Sequence, residues 1–194
     1  VSGHLAKTLF TAVATGRPVT YGGIDLAGEL RANMVTAGDR RGEFPRYRGD
    51  RQGVGFYQAW SVLALARAGG APPESVEWLL RVQCPSGGFR SEYPVPLTST
   101  CPRGGHVDAT AMAVQALQVV PRTPATAAAV ERAADWLVSV QGSDGGLSDN
   151  DGRPVNTNST GLAAQTLRAT GRTGAADRAR TWVEARQLLC GAGP

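Results

Sequence analysis

Three acidic residues near the end of the sequence form the first group that could do chemistry. Asp144, Asp149 and Asp151 stand within eight residues of one another, and carboxylate oxygens are ligands that Ca²⁺ takes. Their spacing differs from that of an EF-hand loop. We therefore interpret the run as a solvated loop, with a calcium site as the alternative.

A second group combines a thiol, an imidazole and a carboxylate. Cys101, His106 and Asp108 also stand within eight residues, and zinc accepts all three ligand types. All three would come from one glycine-containing loop, which is a weak pattern for a zinc site. We interpret His106 as a loop residue near a helix start, and we expect no metal and no cofactor.

Nucleophilic catalysis needs a base beside the nucleophile, and the sequence offers few bases of the usual kind. His4 and His106 are the only histidines, and no Gly-x-Ser-x-Gly segment is present. These residue types favour a protein that is not an enzyme.

The three cysteines raise the question of a disulfide. Cys84 stands at a predicted helix end and Cys101 in the loop that follows. A bond between them would hold that loop, as in many secreted proteins, and the alternative is two free thiols. Cys190 is left over near the C-terminus, where it could pair with something outside this chain.

Composition limits the classes of protein that the chain can belong to. Hydrophobic residues make up 42% and charged residues 19%, which argues against a disordered chain. The net charge is +4, but the arginines are scattered and Lys7 is the only lysine, so we expect no nucleic-acid partner. No apolar run is long enough for a membrane span, and no signal peptide opens the chain. The first residue is Val, so we expect a cut domain or a mature fragment.

The chain carries an internal repeat of about 50 residues. Four apolar stretches rich in small residues resemble one another, at 9–16, 62–69, 112–119 and 162–171. Each is followed by a Gly or Pro break and a second helical pattern, at 24–35, 73–84, 124–141 and 174–187. This arrangement predicts an all-α fold of four helix hairpins, in one domain that spans residues 1–194.

Local signals support these helix boundaries. Asp108, Ser159 and Thr160 stand where N-caps are expected. Glycines follow the helix ends at 16, 69, 70 and 171, and prolines at 72, 73 and 124 can open the next helix. The only strand-like run, 95–100, lies in a predicted loop.

The two helices of each hairpin differ in composition. The first helices are rich in Ala, as in 110–117 and 160–167, and predict a crowded inner layer. The second helices carry larger residues, with Trp78, Trp136 and Trp182 in matching places. Their charged residues should face water; these are Glu77, Arg81, Glu131, Arg132, Asp135 and Arg180.

Two second helices end in the same way. The segments 78–89 and 136–147 each run from Trp through Gln to a Gly-Gly pair, as WLLRVQCPSGGF and WLVSVQGSDGGL. We interpret each Trp as an anchor of its helix, each Gln as the helix end, and the glycines as a tight exit toward the next hairpin.

Four stretches carry a resemblance to a known group of proteins: 83–89, 107–117, 141–147 and 156–167. With them the chain resembles the α/α-toroid superfamily of terpenoid cyclases and protein prenyltransferase β subunits. It is closest to prenyltransferase/squalene-oxidase repeat proteins of actinobacteria. The resemblance implies a closed ring of six hairpins. Four are visible here, so we expect further hairpins or self-association.

The catalytic motifs of that superfamily are not found in this sequence. The nearest match to the Asp-x-Asp-Asp acid of the cyclases is Asp149, Asn150 and Asp151, followed by Gly152. The Asp-x-Cys…His zinc set of the prenyltransferases is missing, and the residues after Cys190 do not supply the Gln of a thioester cross-link.

The resemblance also suggests where a ligand would bind, near the starts of the inner helices. The residues at those places are Tyr57, Trp60, His106, Asp108, Asn156 and Asn158. Their alternative roles are helix N-caps and core packing. We therefore expect a non-catalytic, secreted or cell-surface domain that binds a small apolar ligand or a protein partner. The alternatives are an enzyme that acts on an isoprenoid and a structural module of a surface protein.

Overall fold

The computed structural model describes residues 2–47, 50, 52–94, 96–98, 100–101, 104–149 and 153–187. Within them lie eight α-helices: α1 (Ser2–Ala14), α2 (Leu26–Ala32), α3 (Gly55–Arg67), α4 (Pro73–Arg81), α5 (Val107–Leu117), α6 (Pro124–Ser139), α7 (Thr157–Ala169) and α8 (Thr173–Glu184). Four short strands accompany them: β1 (Thr20–Tyr21), β2 (Ile24–Asp25), β3 (Gln52–Val54) and β4 (Glu92–Pro94). The prediction of a mainly helical protein is confirmed.

The helices pack in a regular order. Helix α1 packs on α3, α3 on α5, and α5 on α7, so the odd-numbered helices form one row. Each even-numbered helix packs on the odd-numbered helix before it. The odd-numbered helices are the Ala-rich ones, and small side chains let neighbouring backbones approach closely.

The short strands were not predicted. Strands β1 and β2 form an antiparallel hairpin, and β3 pairs with β4 across about 40 residues of sequence. Strand β4 ends where the predicted strand-like run 95–100 begins. Segments of two or three residues are too short to show an alternating pattern of polar and apolar residues. The sequence therefore gives little signal for them.

Several helix boundaries differ from the prediction. The N-cap of α7 is Asn156, whose side chain accepts a hydrogen bond from the Ser159 backbone N–H. Ser159 and Thr160 therefore lie inside the helix, and Asp108 lies in the first turn of α5 after His106. A polar residue at the start of a pattern can occupy the first turn as readily as the cap. Helices α2, α4 and α6 also end two or three residues early, where the chain turns into its loops.

Other boundary predictions are confirmed. Helices α4 and α6 begin at Pro73 and Pro124. Gly16, Gly69 and Gly171 follow helix ends with positive φ, a conformation that glycine adopts without steric cost. The charged residues predicted to face water on the second helices are exposed.

The core is built from both layers. One cluster joins α3, α4 and α5 around Trp78, Val62 and Val114, and a second joins α6, α7 and α8 around Leu137 and Leu167. Trp78, Trp136 and Trp182 are all buried. Their matching places in the sequence correspond to matching places in the packing.

The two Gln-Gly-Gly segments make the same contacts. The Gln83 side-chain amide donates to the carbonyls of Gly87 and Ala129, at 2.9 and 2.8 Å. The Gln141 amide donates to those of Gly145 and Ala175, both at 3.0 Å. Each Gln thus joins its own turn to the next even-numbered helix, a role beyond ending the helix before it.

The loops after these turns reach the next odd-numbered helix in the same way. The backbone N–H of Phe89 donates to the Thr110 hydroxyl at 2.8 Å, and that of Leu147 donates to the Thr160 hydroxyl at 2.9 Å. The first of the two loops is longer, since Phe89 and His106 are 17 positions apart and Leu147 and Asn156 are 9 apart. The longer loop carries β4.

The disulfide between Cys84 and Cys101 is present, as predicted, and closes the longer loop. The same loop is held by Arg90, a buried arginine that donates to the carbonyls of Thr98 and Thr100. Cys190 lies outside the described residues.

Candidate functional site

The starts of α5 and α7 bring two of the predicted site residues together. The Asn158 amide donates to a carboxylate oxygen of Asp108 at 3.3 Å. The loop before α7 also contacts the start of α5, because the backbone N–H of Val107 donates to the carbonyl of Asp149. The structure therefore joins residues that are 50 positions apart in the sequence.

Several polar atoms near this contact are buried without a hydrogen-bond partner among the described residues. They include Nδ1 of His106, the second carboxylate oxygen of Asp108 and the hydroxyl of Ser159. Ser159 shares a face of α7 with Thr166, seven positions on, and the Thr166 hydroxyl donates to a carbonyl of α5. Ser159 therefore faces α5. Buried polar groups are usually paired, so these atoms mark a place that a water molecule or a ligand would complete.

Asn156 is a helix cap, which is one of the alternative roles predicted for it. Its side chain caps α7 through Ser159, and its backbone N–H donates to the carbonyl of Leu147. These contacts position the helix start and leave the Asn156 side-chain oxygen occupied.

Tyr57 and Trp60 lie on α3, the odd-numbered helix that packs on α5. The Tyr57 ring packs on the Gly3 backbone, where a Cβ would lie 2.6 Å from the ring. Trp60 packs edge-on against Phe10 and Phe56, with ring centroids 5.3 and 6.3 Å apart. The Trp60 indole N–H is buried and has no partner among the described residues.

A common register relates these residues. An equivalent hydrogen bond is found on each of α3, α5 and α7. The backbone N–H groups of Phe44, Phe89 and Leu147 donate to the side chains of Gln58, Thr110 and Thr160, respectively. Two positions before them stand Phe56, Asp108 and Asn158, and two positions after them stand Trp60, Met112 and Leu162.

Residues four and seven positions apart share a helix face, so this register defines one surface that crosses three helices. We call it the odd-helix stripe: Phe56 and Trp60 of α3, Asp108, Met112 and Gln115 of α5, and Asn158, Leu162 and Gln165 of α7. Trp60, Met112 and Leu162 belong to or pack on the same hydrophobic cluster. The Gln115 amide nitrogen is buried without a partner in the described part of the chain.

The stripe contains residues that sequence reasoning did not single out. Phe56, Met112, Gln115 and Leu162 could have been found by stepping four and seven positions from Trp60, Asp108 and Asn158. The pattern of each helix alone did not distinguish them from core residues.

The stripe combines apolar side chains with unfilled hydrogen-bonding positions. Trp60 and Gln115 offer N–H donors and Asp108 offers an acceptor. The Lys7 ammonium lies 6.0 Å from the centre of the Trp60 ring and adds a positive charge beside the aromatic end. This arrangement places hydrogen-bonding groups and a positive charge beside apolar side chains.

The metal ligands considered from the sequence are placed as follows. Cys101 is oxidised in the disulfide and cannot supply a thiolate. Asp144 accepts hydrogen bonds from the Gly146 backbone and the Trp182 indole. Asp151 lies outside the described residues. Within those residues, no three His, Cys, Asp or Glu side chains stand together as a metal site.

Neither a protein-family model nor a curated protein matches this chain. Of the helices that the structure describes, none is both long and apolar enough to span a membrane.

Proposed function

We propose that the chain is a non-catalytic binding domain of the α/α-toroid type, and that the odd-helix stripe takes a small apolar ligand carrying a hydroxyl or amide group. The observation that carries this proposal is a set of three buried polar atoms, on Trp60, Asp108 and Gln115, that have no hydrogen-bond partner in the described part of the chain. They lie on one surface beside the side chains of Phe56 and Leu162.

The repeated contacts support the toroid architecture. Gln83 and Gln141 join successive even-numbered helices through the same two hydrogen bonds. The odd-numbered helices follow one another in a row, and in a toroid such a row would form the inner wall. Self-association or completion by further hairpins stays a prediction.

The ligand chemistry follows from the unfilled positions. A hydroxyl group can both donate and accept, so it could pair with Asp108 as donor or with Gln115 or Trp60 as acceptor. The body of the ligand would cover Phe56, Trp60 and Leu162, which are partly buried. Binding sites of this kind are mostly apolar, with a few polar groups that fix orientation.

The test uses farnesol as the probe, with farnesane, the saturated hydrocarbon, as its apolar control. Thermal unfolding and the NMR signal of the Trp60 indole N–H are followed together. Ligand at a hundredfold excess over Kd stabilises a protein by about 2.7 kcal/mol, so farnesol should raise Tm by several degrees and shift the Trp60 signal. Farnesane should do less of both.

Two variants separate binding from folding. Asp108→Asn should remove the preference for farnesol over farnesane. Gln118→Ala, which changes an amide just after the end of α5 and outside the stripe, should leave it intact. If none of the isoprenoids or corrinoids in a wider screen moves Tm or the Trp60 signal, the binding proposal is wrong and the structural module is favoured.

Secretion or display at a cell surface is part of the proposal and rests on the Cys84–Cys101 disulfide. Disulfides persist in oxidising compartments. The intact mass of protein purified without reductant should be two hydrogens lower than after reduction. Equal masses would remove this support.

A further inference from the structure

A cavity between α4, the segment after α2 and the disulfide-closed loop is separate from the odd-helix stripe. It encloses 760 Å³, within the range of small-molecule sites. One wall is the C-terminal half of α4, with Trp78 and Arg81. A second is the segment after α2, with Val35 and Arg40, and a third is Leu97 in the disulfide-closed loop.

The base of the cavity is a buried polar network. The Trp78 indole N–H donates to the Tyr93 hydroxyl at 2.9 Å, and the Tyr93 hydroxyl donates to the Glu43 carboxylate at 3.3 Å. Glu43 is fully buried and forms an ion pair with Arg40 at 2.6 Å. The network holds Trp78 and Arg40 in place before any ligand arrives.

The two arginines of the wall have unused donors. Arg40 also donates to the Asp50 carbonyl, but its Nη2 is buried and has no partner in the described residues. Arg81 lies 4.5 Å over the Trp78 ring and donates to the Asp39 carbonyl. No carboxylate of the described residues forms an ion pair with Arg81.

Asp39 is an acidic residue among those that line this cavity. Its side chain is exposed and also lines the wall, so its carboxylate opposes a bound anion. The balance between Arg81 and Asp39 therefore sets how strongly a negative ligand is held.

We propose that this cavity is a second ligand site, which takes an apolar molecule bearing one carboxylate or sulfonate group. The oxyanion binds Arg81, with Arg40 as the second donor, because guanidinium groups match oxyanions in shape and charge. The apolar body lies between Trp78, Val35 and Leu97. This site is independent of the proposed stripe and of its ligand.

The test titrates 2-naphthoate into the full chain and follows the Trp78 indole N–H by NMR. The signal is assigned by its loss in Trp78→Phe. We expect a saturable shift at Trp78 and none at Trp60. The neutral analogue 2-naphthylmethanol should bind at least about tenfold more weakly, since the charged contact is lost.

Three variants and one control are expected to affect naphthoate binding differently. Arg81→Gln should weaken naphthoate binding about tenfold, and Arg180→Gln, an exposed arginine on α8, should not change it. Asp39→Asn should tighten binding a few-fold. Ala37→Trp, which places an indole in the cavity from an exposed position, should abolish it.

Arg81 and Ala37 are exposed, so these variants should fold, and far-UV circular dichroism checks that they do. The proposal fails if naphthoate leaves the Trp78 signal unmoved at millimolar concentration. Equal affinity for acid and alcohol would overturn it as well, as would equal behaviour of Arg81→Gln and Arg180→Gln. A failure here leaves the farnesol result at Trp60 untouched.

Discussion

In the described part of the chain, three turns pack on the next even-numbered helix, and one of them is built differently. In the turns at 86–89 and 144–147, two glycines precede the apolar residue; in the turn at 41–44, the second position is Glu43. The backbone N–H of Phe44 is bound by Gln58 as that of Phe89 is bound by Thr110. The three turns thus share a geometry that their sequences only partly share.

The first glycine is common to all three turns for a backbone reason. Gly42, Gly87 and Gly145 have positive φ. A Cβ at these positions would lie 2.0, 2.3 and 2.5 Å from a carbonyl oxygen of the next helix. No rotation of a side chain relieves such a contact.

The second position is crowded as well, but by different neighbours. At Gly88 a Cβ would lie 2.5 Å from the Gly104 carbonyl oxygen and 2.8 Å from the Trp136 ring, and at Gly146 it would lie 2.4 Å from Val155 and 2.7 Å from the Trp182 ring. At the equivalent place Glu43 is accommodated, with Arg40 and Tyr93 as its partners. The second position therefore takes glycine or glutamate according to the neighbours of each turn, whereas the first position is glycine in all three.

The largest effect is expected at the shared glycine. Gly42→Ala, Gly87→Ala and Gly145→Ala should each lower the free energy of unfolding by about 3–5 kcal/mol, through overpacking and a strained φ. Gly16→Ala, at positive φ with no atom within 4 Å, should cost only about 1 kcal/mol. Urea unfolding measures all four, and costs at 42, 87 and 145 no larger than that at 16 would refute the common geometry.

The second effect tests the position where the turns differ. Glu43→Gln removes the charge that pairs with Arg40 at a fully buried site. We expect a loss of about 2–3 kcal/mol, because breaking one side of a buried pair is costly. Glu92→Gln disturbs the exposed pair with Arg46 at 3.5 Å and should cost under about 1 kcal/mol. Equal costs would mean that burial of Glu43 does not matter.

A third prediction concerns alkaline pH and the first turn. Burial, with the nearby charge of Glu43 as a further cause, raises the pKa of Tyr93 far above its usual value. The protonated phenol is favoured in the folded state, so stability is retained below about pH 10, the ordinary tyrosine pKa. Above it, stability should fall by up to about 1.4 kcal/mol per pH unit.

Tyr93→Phe removes this alkaline loss and costs about 1–2 kcal/mol at neutral pH, where it deletes two hydrogen bonds. Unfolding of both proteins between pH 9 and 11 gives the comparison. Tyr57→Phe, at a partly exposed ring, is the matched control. Parallel pH profiles for the wild type and Tyr93→Phe would contradict the assignment.

The smallest effect lies at the third turn and at acid pH. Hydrogen bonds from the Gly146 backbone and the Trp182 indole lower the pKa of Asp144. The ionised form is favoured in the folded state, so its stabilisation is present above the ordinary aspartate pKa of about 3.9 and is lost as pH falls through the lowered value. Asp144→Asn should flatten the fall in Tm below pH 4. If Asp144→Asn leaves the fall in Tm below pH 4 unchanged, these hydrogen bonds do not contribute to the pH dependence of stability.

Much of the fold could be predicted from particular residues. Pro73 and Pro124 open helices, and Trp78 and Trp136 anchor them, because these are local or strongly apolar signals. Cys84 and Cys101 were close enough in sequence to be proposed as a pair. Of the site, Asp108 and Asn158 could be aligned by their spacing, but their hydrogen bond depends on how α5 and α7 pack.

Other features could not be read from the sequence. The turn at Gly42 was missed because Glu43 replaces the second glycine. Which of the alternative roles Asn156 takes was left open, and its side chain caps α7. The cavity beside Arg81 was invisible, since its three walls are far apart in the sequence.

The sequence by itself determined the mainly helical class, the repeat near 50 residues and the glycines of two turns. These depend on periodicity and on backbone conformations that few residues adopt. Only the tertiary structure decided that Glu43 is buried, that Trp60, Asp108 and Gln115 share a stripe, and that Arg81 borders a cavity. Those facts depend on distances between segments, which the helix packing sets and no local pattern records.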